Sequence, residues 1–267
     1  MNTLVSLSPL LLALGGGLFT WGMTAVGAAA VFFARDVDRR VMDAALGFAA
    51  GVMLAASCFS LLLPALALSR DGPLPVWLPA TVGFLAGGAF LWALDRLVPH
   101  LHLNQPATGP EGPRVRLSST TLLFLALTLH NFPEGVAVGV AFGATGQDVA
   151  SLAGAATLTL GIGVQNLPEG LALALPLRRE GLSVARAFLL GQASGIVEPV
   201  GAVLGAAAVT ISTALLPYAL GFAAGAMVFV VIEELLPEAQ AHGDTDLPTL
   251  GAMVGFAGMM VLDTAFV

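Results

Sequence analysis

The chain consists of long apolar runs separated by short polar segments. Apolar stretches of about 20 residues recur from one end to the other, and that is the length an α-helix needs to cross a bilayer. The runs are apolar at nearly every position rather than at alternate positions, which argues against a β-barrel. The pattern predicts eight membrane-spanning helices, over residues 6–33, 43–69, 76–98, 119–143, 150–177, 185–208, 214–238 and 247–266.

The composition supports an all-α polytopic membrane protein. Of the 267 residues, 57% are hydrophobic and 10% are charged, whereas soluble domains usually carry about 25% charged residues. No soluble segment stands apart, so residues 1–267 are predicted to form one membrane domain. The single cysteine, Cys58, excludes an intrachain disulfide and a cysteine-based zinc cluster.

The ten arginines predict the orientation of the helices. Nine lie in or beside loops 1–2, 3–4 and 5–6, and only Arg70 lies in an even-numbered loop. The positive-inside rule makes the odd-numbered loops cytoplasmic, so both termini face outward. The longest connection, about residues 99–118, is then cytoplasmic. Asp43 and Asp95 are interpreted as solvated residues near helix ends.

Two copies of one motif lie inside predicted helices 4 and 5. The motif reads HNFPEG at residues 130–135 and QNLPEG at residues 165–170. In each copy the first residue and the glutamate are four positions apart and therefore share a helix face. Ionisable groups at membrane depth are costly and are commonly functional. The paired motifs therefore predict one cation site between two helices.

The donor types indicate which ions fit this site. One imidazole, two carboxylates and amide oxygens suit Zn²⁺, with Fe²⁺, Mn²⁺ and Cd²⁺ as alternatives, and no thiolate demands a soft metal. The alternative interpretation is that the polar groups only bond to each other across a helix interface. Two copies at matched depth favour the metal site, because buried carboxylates are costly without a compensating charge.

Further polar residues have two interpretations each. Glu198, beside a proline in helix 6, is either a third acidic ligand or a partner in a helix–helix hydrogen bond. Met53 in helix 2 is core filler or a thioether ligand. Glu233 and Glu234 are a solvated helix end or an ion exit. The two histidines of loop 3–4 are metal ligands or bystanders, and they are His100 and His102.

These residues give the chain a specific resemblance to a known family. It resembles the ZIP (Zrt-/Irt-like) divalent metal transporters, especially the bacterial branch, in its eight spans, its histidine-bearing loop 3–4 and its paired motifs. The resemblance implies a bundle with inverted repeats, helices 1–3 and 6–8, around helices 4 and 5. It also implies a homodimer in the cell (inner) membrane, with no resident cofactor and no nucleic-acid partner.

The resemblance also implies roles for single residues. His130, Glu134, Gln165 and Glu169 would hold the transported ion, joined by Met53. Asn131 and Glu198 would serve a neighbouring second ion, with both motif glutamates bridging, and Asn166 belongs to the same ligand set. His100, His102, Glu233 and Glu234 would line the inner release route.

The sequence departs from many relatives at two of these positions. Many have histidine where Gln165 stands, and some have an acid where Asn166 stands. Two neutral amides should weaken binding of a second ion more than they weaken transport.

The expected function is movement of Zn²⁺-like ions into the cytoplasm, without enzymatic activity. An intramembrane metalloenzyme is the main alternative, although its H-E-x-x-H signature is absent. A metal-sensing receptor that uses the same cluster is a further alternative.

Overall fold

Eight long helices make up the part of the chain that the computed structural model describes, which is residues 8–34, 37–70, 72–98, 119–145, 152–241, 243 and 246–266. Those residues contain no strand, so the all-α prediction is confirmed. The helices are α1 Pro9–Phe32, α2 Arg39–Leu68, α3 Trp77–Leu97, α4 Ser119–Ala144, α5 Leu152–Arg179, α6 Val184–Ile211, α7 Leu216–Gln240 and α8 Asp246–Phe266.

Seven helices in this described part are long and apolar enough to cross a membrane. The helix outside this set is α5, which carries Gln165, Asn166 and Glu169. It contacts α1, α2, α4, α6 and α8, and most of its side chains are buried. Because its neighbours shield it, α5 can hold polar residues that would be costly on a lipid-facing helix.

The helices pack as four parallel pairs: α1 with α5, α4 with α6, α2 with α8, and α3 with α7. The same four pairs result when α1 is exchanged with α6, α2 with α7, α3 with α8, and α4 with α5. That is the arrangement expected of two inverted repeats of three helices around a central pair.

Two groups of helices follow from these contacts. The first, here called the motif group, comprises α1, α4, α5 and α6, and each of these helices contacts the other three. An indole hydrogen bond joins α1 to α6, where Trp21 Nε1 donates to the carbonyl oxygen of Gln192 at 2.8 Å. The second, here called the flanking group, comprises α2, α3, α7 and α8.

Glycines bring the backbones of the flanking pairs together. A Cβ on Gly51 would overlap the carbonyl oxygen of Ala252 in α8, and a Cβ on Gly225 would overlap that of Phe84 in α3. Small residues four positions apart allow this approach in membrane helices. The flanking helices each carry one such pair: Gly47 and Gly51, Gly83 and Gly87, Gly221 and Gly225, and Gly251 and Gly255.

Irregular turns interrupt three helices close to prolines. A π segment occupies Ala56–Leu62 of α2 and another occupies Val231–Leu235 of α7. Both are followed by a proline, Pro64 or Pro237, which lacks the N–H that a regular turn requires. In α6 a 3₁₀ turn precedes Pro199. By contrast, α4 and α5 remain helical through their motif prolines.

The start of α2 differs from the sequence prediction. The helix begins at Arg39, four residues earlier than expected, because the Asp38 side chain caps it by accepting a hydrogen bond from Arg40 N at 2.9 Å. Asp43 therefore lies inside the helix and is buried, so its interpretation as a solvated residue was wrong. Asp95, in the last turn of α3, is also buried, and the same interpretation was wrong there.

The arginines mark one end of the bundle, here called the basic end. The odd-numbered helices end there and the even-numbered helices begin there. Among the described arginines, all except Arg70 lie at this end, namely Arg39, Arg40, Arg96, Arg178, Arg179 and Arg186.

Candidate metal site

The two sequence motifs meet at the contact between α4 and α5. Glu134 is completely buried, and its Oε1 accepts a hydrogen bond from Gln165 Nε2 at 2.9 Å. The glutamate of the first motif is therefore joined to the first residue of the second. Helical periodicity puts each motif on one face, and the α4–α5 contact turns those two faces toward each other.

Glu198 lies beside this pair and has hydrogen-bond donors at both oxygens. Thr24 Oγ1 donates to its Oε1 at 3.0 Å, and Asn166 Nδ2 donates to its Oε2 at 2.9 Å. A Cβ on Gly195 would lie 2.6 Å from Glu198 Oε1, so the glycine leaves room for the carboxylate. One carboxylate thus connects α1, α5 and α6.

Asn131 faces the 3₁₀ turn of α6. Its Nδ2 donates to Ser194 Oγ at 3.4 Å, and the Ser194 hydroxyl donates to the carbonyl oxygen of Gly191 at 2.8 Å. The amide is buried, so its orientation is fixed by these contacts rather than by water.

His130 and Glu169 face α7 on the side toward the basic end. They line a cavity of about 20 Å³ together with Glu234 and Glu238, enough for about one water molecule. His130 Nε2 lies 3.8 Å from Glu234 Oε1. This small cavity, named here the inner cavity, joins the motif residues to two glutamates one helical turn apart.

Five buried acceptors of the two motifs lack a hydrogen-bond partner among the described residues. Each such atom carries a desolvation cost of about 1–3 kcal/mol when left unpaired. All five are oxygens with free lone pairs, so a cation satisfies them. They are Asn131 Oδ1, Glu134 Oε2, Gln165 Oε1, Asn166 Oδ1 and Glu169 Oε1.

The charges of this cluster also favour a cation. Glu134 is close enough to Glu169 and Glu198 for their charges to repel, and the latter two interact in the same way. A divalent ion between carboxylates offsets that repulsion. Within the described part of the chain, no three His, Cys, Asp or Glu side chains form a group that could hold an ion by themselves. The buried amide oxygens of the two motifs are therefore candidates to complete the ligand set.

The remaining residues predicted from the sequence are a buried methionine, two glutamates of α7 and two loop histidines. Met53 is completely buried in α2, which packs on α5. Glu234 faces the inner cavity, whereas Glu233 is exposed and lines an open groove between α3 and α7 with Trp92. The two loop histidines, His100 and His102, lie outside the described residues.

Sequence reasoning missed or left open several polar contacts. Asp263 of α8 was left without an interpretation, and its carboxylate accepts from the Ser60 hydroxyl at 2.7 and 2.8 Å, in the half of the bundle away from the basic end. Thr24 was passed over because a threonine in an apolar helix gives no signal by itself. Glu238 gave a signal, since it lies four residues after Glu234 and therefore shares its face.

Comparisons with known proteins agree with the resemblance in the sequence. The family profile described as ZIP Zinc transporter matches residues 113–263. The chain is 42% identical to Zinc transporter ZIP11 of Homo sapiens, over 94% of this chain and 96% of that protein. It is 41% identical to Zinc transporter GufA of Myxococcus xanthus, over 90% and 93% of the two chains. It is 43% identical to Zinc transporter ZIPB of Bordetella bronchiseptica, over 94% and 80%.

Proposed function

Because this chain belongs to the ZIP family of zinc transporters, we propose that it moves Zn²⁺ into the cytoplasm through an intramembrane site between α4 and α5. Membership confirms the resemblance drawn from the paired motifs, and it confirms the prediction of a transporter rather than an enzyme. The chain is a multi-pass membrane protein. The observation that carries the proposed site is the cluster of buried, unpartnered oxygens on both motifs.

The transported ion would be held by His130, Glu134, Gln165 and Glu169, with the Met53 thioether approaching from α2. One imidazole nitrogen and several oxygens are ordinary Zn²⁺ ligands. The same set accepts Cd²⁺, Fe²⁺ and Mn²⁺, whose preferences overlap with those of zinc.

A second ion, at Asn131, Asn166 and Glu198, would be held more weakly. Both oxygens of Glu198 already accept hydrogen bonds from Thr24 and Asn166. An ion that binds there competes with these donors for the carboxylate oxygens. The second position is therefore proposed to fill only after the first.

The proposed direction of transport comes from the family resemblance, and the basic end, which the positive-inside rule makes cytoplasmic, is the end at which ions would leave. Ions would enter from the Asp263 side, bind between α4 and α5, and leave past Glu234 toward the basic end. We place the protein in the cell (inner) membrane, with both termini outside, as a homodimer in contact with lipid.

A movement of the motif group against the flanking group would provide alternating access. Most proposed ligands lie on α4, α5 and α6, whereas Met53 and Glu234 belong to the flanking group. Displacing one group relative to the other would therefore expose the same ion to opposite sides in turn.

Zinc uptake into proteoliposomes tests this proposal. Purified wild-type protein should move Zn²⁺, while Glu134→Ala and Glu169→Ala should each abolish the flux. Glu180→Ala is the matched control, because Glu180 is an exposed residue at the basic end. Unchanged uptake by both motif variants would sink the proposed site. Zinc binding without flux in the wild type would instead indicate a metal sensor.

A further inference from the structure

An ion-pair cluster closes the basic end of the bundle between α2 and α7. Arg39, in the first turn of α2, lies with Nε 2.9 Å from Asp43 Oδ1 and with Nη2 2.5 Å from Glu238 Oε1. The Asp43 and Glu238 side chains are only 5% and 6% exposed, and that of Arg39 is 32% exposed. We call these three residues the arginine clasp.

The arginine clasp separates two cavities that lie one after the other. Glu238 lines the inner cavity, which reaches His130 and Glu169. It also lines a second cavity of about 20 Å³ toward the basic end, together with Arg39 and Arg179. Leu46 and Ala172 border both spaces. An ion that leaves His130 for the basic end therefore passes Glu238 and the guanidinium bound to it.

The spacing of the glutamates on α7 gives this route its steps. Glu234 and Glu238 are four residues apart, which places them on one face about 6 Å apart along the axis. Glu234 lies close to His130 and Glu238 to Arg39. The two carboxylates thus offer a departing cation successive ligands along one face of α7.

We propose that Glu238 is the last carboxylate of the chain to hold the departing ion, and that Arg39 occupies it and closes the exit when no ion is there. This role rests on the proposed transport function. A divalent ion that reaches Glu238 competes with the guanidinium for the same oxygen. Asp43 keeps Arg39 paired after the exchange, so no guanidinium is left without a counter-charge at the helix interface.

The same arrangement opposes entry of ions from the basic end. Both Arg39 and Arg179 line the second cavity, so a cation that approaches from that side meets positive charge before it meets Glu238. A charge-lined cleft changes the rate at which ions enter by roughly 10-fold or more. The arginine clasp therefore slows the entry of ions from the basic end, while the zinc gradient sets the net direction of movement.

Flux measured in both directions tests the arginine clasp. Full-length protein is reconstituted with one orientation, and Zn²⁺ is supplied first at the Asp263 side and then at the basic end. Arg39→Gln should raise flux from the basic end by roughly 10-fold. The matched control is Arg40→Gln, which removes the same charge from the adjacent, exposed position and should change neither flux.

Two further variants guard against a trivial loss of fold. Arg39→Lys keeps the positive charge and should retain low flux from the basic end. Glu238→Gln should lower flux from the Asp263 side, and combining it with Arg39→Gln should give a non-additive result, because the two residues act as a pair.

The possible outcomes separate this inference from the transport function. Wild-type protein that moves no zinc would overturn the proposed function and the role of the arginine clasp in it. Wild-type protein that moves zinc, with Arg39→Gln equal to Arg40→Gln in both directions, would overturn the arginine clasp alone.

Discussion

The motif group and the flanking group share glycine packing and differ in the buried polar side chains between their helices. In the motif group, buried polar side chains join the helices, as Glu134 joins Gln165 and Glu198 joins Thr24. In both groups glycines bring backbone against backbone, as Gly139 does at Ala202 and Gly51 does at Ala252. An ion can replace a side-chain hydrogen bond without unpacking a helix, whereas a backbone contact cannot loosen without opening a cavity. The comparison teaches that the polar side chains of the motif group are added to the same glycine-packed framework that supports the flanking group.

The largest expected effect is loss of a side chain that joins motif helices. Gln165→Ala removes both the donor to Glu134 and an unpartnered oxygen. Gln165 is a proposed ligand, and losing even an outer partner of a metal site usually costs about 10–100-fold in affinity or activity, so we expect a loss of zinc uptake at the upper end of that range. Gln240→Ala, at an exposed position on α7, is the control. Equal zinc uptake by the Gln165→Ala and Gln240→Ala variants would contradict the role given to polar side chains in the motif group.

The backbone contacts of the flanking group should respond to a single methyl group. Gly255→Ala forces a Cβ onto the carbonyl oxygen of Phe48, whereas Gly258 has open space at that point. We expect Gly255→Ala to lower the free energy of unfolding by about 1–3 kcal/mol, the usual cost of overpacking. Thermal unfolding in detergent measures it, with Gly258→Ala on the same helix as control. A fall in stability for both variants would contradict the assigned contact.

A flanking-group residue that faces the motif group should affect transport rather than stability. Glu234→Gln removes a carboxylate from the inner cavity, near His130, and we expect zinc uptake to fall by about 10-fold. Glu233→Gln alters the neighbouring exposed carboxylate and should leave uptake unchanged. If Glu233→Gln lowered uptake more than Glu234→Gln did, Glu233 rather than Glu234 would belong to the release route.

The smallest expected effect concerns the polar contact between α2 and α8. Asp263→Asn keeps a partner for Ser60 but removes the charge. We expect uptake at low zinc to fall by less than about 5-fold, because a single charge near the end of a helix contributes at most about 1 kcal/mol to attracting an ion. Uptake at saturating zinc should not change. An equal loss at both concentrations would show that Asp263 supports the fold rather than ion entry.

Much of the fold could be predicted from residue patterns alone. The lengths of the apolar runs predicted the helices, and the spacing within each motif predicted the faces that meet at Glu134 and Gln165. That these residues lie together is a structural observation, whereas their binding of zinc stays a prediction. The donor types constrain the chemistry because nitrogen and oxygen ligands are few in an apolar bundle.

Other features depend on backbone details that a regular helical period does not contain. A π turn adds one residue to a turn, so the segment Val231–Leu235 shifts which residues of α7 face inward. Glu233 and Glu234 both lie in this segment, and as neighbours on a helix they point about 100° apart, a difference that sequence reasoning overlooked when it treated them alike. Asp43 was misplaced because the cap at Asp38 starts α2 early. Leu-Leu-Pro ends at the proline that follows each π segment, but the same tripeptide at residues 215–217 starts α7 without one, so it could not have indicated them.

The indole of Trp21 gives the molecule a natural optical reporter. It is one of three tryptophans, and its hydrogen bond to Gln192 fixes it between α1 and α6. The other two, Trp77 and Trp92, both belong to α3. Replacing those two by phenylalanine leaves an emission that reports the motif group alone, and replacing Trp21 leaves one that reports α3. The two emission spectra, recorded during zinc titration, would follow each helix group separately without any attached dye.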